Sequence, residues 1–192
     1  FTHPIYKYYK NEYNVGFAGN VLNCFEKACN QFIWILPDND FIDFDLFEKL
    51  FLKLRTEYKE LDCIFLTVKR KDLWGNEELV TMTEIKSLND LYSSYIVPFV
   101  LLSNSIVLRK SIPTEEIRSR LKNNAFIQTA LLSMNLIDAK KFKVFDDPII
   151  AYNIEYNGRF SPVDCNKSMH EVLFFLSKYF AINVKHYDYK EF

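Results

Sequence analysis

Two carboxylates one residue apart, Asp38 and Asp40, end the apolar run FIWILPDND at residues 32–40. Carboxylate oxygens suit a hard divalent cation, Mn²⁺ or Mg²⁺. Such an ion, held by only one or two carboxylates, completes its shell with water and substrate phosphates. In an extended chain, residues two apart project to the same side, so both acids could reach one ion. The plain alternative is a turn, which Pro37, Asp38 and Asn39 supply readily. A second polar interruption, Ser103 and Asn104, breaks the apolar run PFVLLSNSIVLRK. It offers fixed hydrogen-bonding groups for a ligand's hydroxyls, or a bulge.

The flanking periodicities say what must position these residues. Phe32 to Leu36 is a continuous apolar run of strand length, expected to be covered on both faces. Before it, HPIYKYYKNEYNVGFAGN reads as an extended segment and a turn at Asn14 and Gly16. From Asn20, a plausible N-cap, the spacing of Val21, Leu22, Phe25, Ala28 and Cys29 is helical, with Asn30 as the stop. DFDLFEKLFLKLR restores helical spacing, with Leu46, Leu50 and Leu54 inward and Asp43 and Asp45 at the favoured end. LDCIFLTV is a second buried strand, and KRKDLWGNEELVTM is a loop or edge hairpin. Two helices follow, Thr114 to Lys122, with Thr114 as cap, and Ala125 to Met134. FKVFDDPIIAYNIEY is expected to be a strand pair punctuated by Asp146, Asp147 and Pro148, and MHEVLFFLSKYFAINV a strongly apolar helix. Strands alternating with helices predict an α/β layer with a mostly parallel sheet, in one domain over residues 1–192.

Composition narrows the partners. The 192 residues are long enough for a sizeable core, and 49% hydrophobic with 26% charged is an ordinary globular balance. A formal net charge of -1 gives no electrostatic footprint for nucleic acid. Cys24, Cys29, Cys63 and Cys165 form no CxxC pair, which suits a reduced, cytoplasmic setting. No apolar run reaches the ~18 residues of a spanning helix. The chain opens at Phe1 and reads as part of a longer product. The 12 Tyr and 18 Phe fit a codon bias as well as any functional use.

The stretch NVGFAGNVLNCFEKACNQFIWILPDNDFI resembles the central segment of inverting glycosyltransferases of family 2, which have a GT-A fold. Asn14, Gly16, Asn20, Ala28 and Asp38 to Asp40 match that pattern in order and spacing. VLLSNSIVLRK, AFIQTALLSMNL and DPIIAYNIEY more loosely resemble its bacterial abequosyltransferase-like branch. The match is clear over residues 11 to 46 and faint from there to about residue 155. The resemblance implies a Rossmann-like, GT-A-like sheet flanked by helices, with the N-terminal strands outside this chain. Residues 1–60 would hold the end of the donor half and its metal motif, and 61–192 the acceptor half. It further implies Asp40 as principal metal ligand, Asp38 as ligand or donor contact, and Asn39 as donor-sugar contact. Asn14, Gly16 and Asn20 would shape the nucleotide side, and Ser103 and Asn104 would meet the acceptor. The implied partners are a nucleotide-sugar donor and a glycan or lipid-linked acceptor of a bacterial surface polysaccharide. The setting would be the cytoplasm or the inner membrane face. The apolar face of MHEVLFFLSKYF would serve a peripheral membrane contact, a homo-oligomer or the core.

Two departures matter. Relatives place an Arg before the helix-opening Asn, where this chain has Gly19. Inverting transfer also needs a general base, which many relatives carry as an Asp in a Glu-Asp pair heading the helix that corresponds to NNAFIQTALL, a stretch without an acid. Glu115, Glu116, Asp146, Asp147 and His170 are the remaining candidates. The first two suit a helix start anyway, the next two read as turn residues, and His170 reads as a packing or surface residue. The base stays unassigned. Trp34 belongs to the core, and Trp74, on a polar loop, is a candidate for stacking on a sugar. Rival readings are a non-catalytic glycan- or partner-binding domain of the same fold and, behind it, a nucleotidyltransferase.

Overall fold

The computed structural model describes residues 7–37, 40–71, 77–81, 103–152 and 162–179. In chain order the elements are α1 (Gly16–Lys27), β1 (Phe32–Trp34), β2 (Asp40–Ile42), α2 (Phe44–Thr56), β3 (Cys63–Lys71), β4 (Glu77–Val80) and β5 (Ser105–Leu108). They continue with α3 (Thr114–Leu121), α4 (Ile127–Asn135), β6 (Phe142–Tyr152) and α5 (Pro162–Leu176).

The strands form one sheet in the order β1-β5-β3-β6-β2, with β4 also paired to β3. Residues 63–68 of β3 are all buried, as the run CIFLTV requires. The α/β class with flanking helices holds, but the parallel share is smaller than the sequence suggests. Among the described pairings β3–β6 is parallel, while β1–β5, β5–β3, β3–β4 and β2–β6 are antiparallel. β1, β3 and β6 do run one way, yet β5 returns between β1 and β3. An apolar run records burial on both faces and carries no record of its neighbour's direction.

Two cores lie on opposite faces. One joins Ala18, Val21, Leu22 and Phe25 of α1 to Ile33, Cys63, Phe65 and Val107 and to α3, α4 and α5. The other joins Leu50 of α2 to Ile64, Leu66, Val68, Ile106, Phe145 and Ile150. Asp43 caps α2 by accepting from the Leu46 amide at 3.0 Å. α4 is buried all round, so its stability comes from the elements that enclose it. Among the described residues no helix is long and apolar enough to cross a membrane.

Several local expectations are corrected. α1 starts at Gly16, not Asn20, because the Asn14 side chain already accepts from the Gly16 amide at 2.9 Å and Gly16 takes φ +70. Asn20 lies inside the helix, and Cys29, beyond its end, is exposed. Thr114 is the first residue of α3 rather than its cap. Residues 142–152 form one strand, not two: Asp146, Asp147 and Pro148 sit within it, where the register against β3 shifts. Proline has no N–H for the ladder, so the strand bulges there instead of turning.

Candidate functional site

β3 and β6 end together at Arg70 and Tyr152, and Asp40 opens β2 at that carboxyl end; β1, running the same way, ends earlier, at the level of Ile64. At the same end the sheet splits around Thr67. On one side β3 leaves β5, whose last rung is Phe65 with Ser105, and takes up β4 at Val68. On the other, its register with β6 shifts on both sides of Thr67. A crevice beyond strand ends, where strand neighbours change, is where ligands of open α/β sheets collect.

The backbone of Ser103 and Asn104 lines this split. The Asn104 carbonyl accepts from the Leu66 amide at 2.8 Å, and the Ser103 carbonyl accepts from Trp34 Nε1 at 2.6 Å. Both residues are buried; they form the approach to β5. Trp34 stacks on Phe47 with ring centroids 6.1 Å apart, so this indole is packing, as its place in a strand implies.

The structure brings Asp40 and Ser103 together. Burial pushes the Asp40 carboxyl above its ordinary range, and a side-chain hydrogen bond with Ser103 offsets part of that. Asp40 Oδ2 is buried without a hydrogen-bond partner. A buried acceptor left unpaired costs about 1–3 kcal/mol. Among the described residues no group of three or more His, Cys, Asp or Glu gathers as a cation site. At the same end Glu78 and Glu77 of β4 stand opposite Arg70 and Lys71 of β3. Asp38, Asn39 and Trp74 lie outside the described residues.

Asn14, Gly16 and Asn20 lie at the start of α1. α1 packs over Ile33 and is followed by a connection of only residues 28–31, so it runs back along β1 and its N-terminus stands at the carboxyl end too. The hydrogen bonds there are local: Asn11 Nδ2 donates to Asn20 Oδ1 at 3.1 Å, and Asn23 Nδ2 to Asn11 Oδ1 at 2.9 Å. Gly19 is where a Cβ would stand 2.9 Å from Val15 Cβ, so close packing holds this position.

Two of the remaining base candidates form ion pairs. Glu116 accepts from the Tyr179 hydroxyl and pairs with Arg120 at 3.2 Å and Lys178 at 3.8 Å. Tyr179 foremost, with the two cations, holds its carboxyl below the ordinary range. Asp147 pairs with Lys49 of α2. Glu115, Asp146 and His170 are exposed. α4 has no acid in its first turn.

Sequence reasoning gave no role to three buried polar residues here: Thr67, Ser105 and Gln128, each with an unpartnered side-chain oxygen. The signal was available, since each interrupts an otherwise apolar strand or helix.

No protein-family model matches the sequence, and comparison with curated proteins gives no match. Among solved structures the chain is similar to Staphylococcus aureus TarS 1-349, with a TM-score of 0.51 at 13% identity over 92% of this chain and 55% of that one. The fold is GT-A-like. TarS 1-349 in complex with UDP gives a TM-score of 0.50 at 15% identity, over 88% of this chain and 46% of that one. Its complex with UDP-GlcNAc gives 0.50 at 14%, over 85% and 47%. The chain therefore spans about half the length of the TarS chains it matches, and at these identities the likeness shows the fold.

Proposed function

We propose that this chain is part of a glycosyltransferase that takes a sugar from a nucleoside diphosphate donor, with UDP-sugars as the first class to test. The observation that carries the reading is Asp40. Its orphaned, buried oxygen stands at the carboxyl end of co-directional strands, where the sheet splits, in a fold similar to that of proteins solved with UDP and UDP-GlcNAc. Asp40, with Asp38 from the sequence reading, would hold Mn²⁺ or Mg²⁺, which when bound supplies positive charge to offset that growing on a leaving diphosphate. Asn14, Gly16, Asn20 and Asn39 are proposed donor contacts, and Ser103 and Asn104 acceptor contacts. Transfer with inversion to a bacterial surface glycan follows from the resemblance of the Asn14-to-Asp40 stretch. The acid-free first turn of α4 favours one second reading, a glycan-binding domain of the same fold that transfers nothing.

The test is a thermal-shift panel on the full-length gene product with UDP, GDP, CDP and TDP, with and without Mn²⁺, beside Asp40→Ala. A nucleotide at about a hundred times its dissociation constant stabilises the folded state by ~2.7 kcal/mol. A metal-dependent shift lost in the variant, with UDP released from UDP-GlcNAc, is the expected result. A cooperative melt that no nucleotide moves would leave residues 37–40 a turn and favour the binding domain.

A further inference from the structure

Thr67, Ser105 and Gln128 each bury a side-chain oxygen with no hydrogen-bond partner, and three independent constraints bring them to one place. Ser105 is the direct partner of Phe65, and Phe65 belongs to the core beneath α1, α3, α4 and α5. Side chains alternate along a strand; with Leu66 and Val68 in the opposite core, Thr67 shares the Phe65 face. On that face the sheet changes from Cys63, Phe65 and Val107 to the hydroxyls of Thr67 and Ser105 as it nears the split.

The direction of α4 brings the third oxygen. Asn135, at its C-terminal end, accepts from the Lys110 amide at 2.7 Å, and Lys110 Nζ donates to the Ile137 carbonyl at 2.7 Å. Lys110 follows β5, so the C-terminal end of α4 is pinned at the far end of β5 from Ser105. The helix runs from the split toward that pin and packs on β5. The rise from Asn135 to Gln128 is roughly 10 Å, about three residues of strand, which sets Gln128 alongside Val107. Helical side chains lean toward the N-terminus, here toward Ser105. Thr129 and Ser133 leave hydroxyls unpartnered along the same helix.

Buried polar atoms without partners are uncommon, and each calls for one. Two hydroxyls and a carboxamide oxygen on one face at a sheet split match a ligand rich in hydroxyls, with little charge. Ser105 is two residues from Ser103, which bonds Asp40, so a ligand reaching from this face to the rim meets the proposed diphosphate site. We propose that Thr67, Ser105 and Gln128 form the hydrogen-bonding floor for the sugar ring of the nucleotide-sugar donor. The assignment rests on the donor reading above and extends it from the diphosphate to the sugar.

Titration calorimetry in Mn²⁺ on the full-length protein separates the two, with UDP set against UDP-GlcNAc, UDP-glucose and UDP-galactose. Thr67→Val, Ser105→Ala and Gln128→Met each delete an orphaned oxygen with little change of shape, so folding should hold or improve; melting checks this. Two of the three suffice if one fails to fold. The expected result is unchanged affinity for UDP with up to about tenfold weaker binding of the preferred UDP-sugar in each variant, the scale of one neutral hydrogen bond. Unchanged UDP-sugar affinity in folded variants overturns the assignment and leaves the donor reading standing; the oxygens then face only buried water. A wild-type protein that binds UDP but gains nothing from any of the three sugars also overturns it. Failure of the wild type to bind UDP or any UDP-sugar overturns both.

Discussion

The indole Nε1 of Trp34 donates to the carbonyl oxygen of Ser103 across 2.6 Å, 69 residues away in sequence. This bond ties the exit of β1 to the approach of β5, where the Ser103 side chain also bonds Asp40. Trp34→Phe keeps a ring to stack on Phe47 but removes the donor. The expected cost is about 1 kcal/mol of stability in urea unfolding, with weaker metal-dependent nucleotide binding as Asp40 loses its alignment.

Asp40 should trade stability for binding. Its buried, unpartnered Oδ2 is a liability without ligand. Asp40→Ala is therefore expected to melt no lower than wild type in metal-free buffer while losing the nucleotide-dependent shift. A variant that melts several degrees lower without metal would mean that the carboxylate is structural.

Asn135 is fully buried, accepting from the Lys110 amide and donating to the Leu131 carbonyl, both at 2.7 Å. Asn135→Leu fits the apolar surroundings but leaves the Lys110 amide without its acceptor. A loss of about 1–3 kcal/mol in chemical denaturation is expected, with faster hydrogen exchange at that amide.

Gly19 inverts a common rule. In a helix interior Gly→Ala usually adds about 1 kcal/mol, but here the new Cβ would stand 2.9 Å from Val15 Cβ. Gly19→Ala should destabilise, and Val15→Gly, which removes the Cβ it would meet, should cost less in the Gly19→Ala chain than in wild type. Melting temperatures of the two single variants and the double variant give the coupling directly.

Asp62 sets an acid limit. Burial pushes its carboxyl up, but the amides of Lys140 and Lys141, at 2.8 and 2.9 Å, with the charges of Lys110 and Lys141, outweigh this and hold it below its ordinary range. A depressed folded-state value stabilises above the unfolded pKa, about 3.9, and that contribution is lost as pH falls through the folded value. Stability measured from pH 6 down to 2 should therefore decline less steeply below about pH 4 in Asp62→Asn than in wild type.

Much of this protein was legible from its sequence, because local periodicity reports which side of an element meets the core. Leu46, Leu50 and Leu54 turn inward on α2 and Val21, Leu22 and Phe25 on α1, as their spacing requires. The polar stop after the apolar run was legible too, though the strand there ends at Trp34 and Asp40 opens the next one. Periodicity stopped short at Asp146 to Pro148, where turn-forming residues sit inside one strand because the β3 edge holds both sides of the bulge. Sheet order, the antiparallel return of β5 and the split at Thr67 depend on pairings between residues far apart in the chain. No local pattern encodes which strand becomes whose neighbour. The contact of Asp40 with Ser103, and the shared sheet face of Thr67 and Ser105, exist only once those long-range pairings are made.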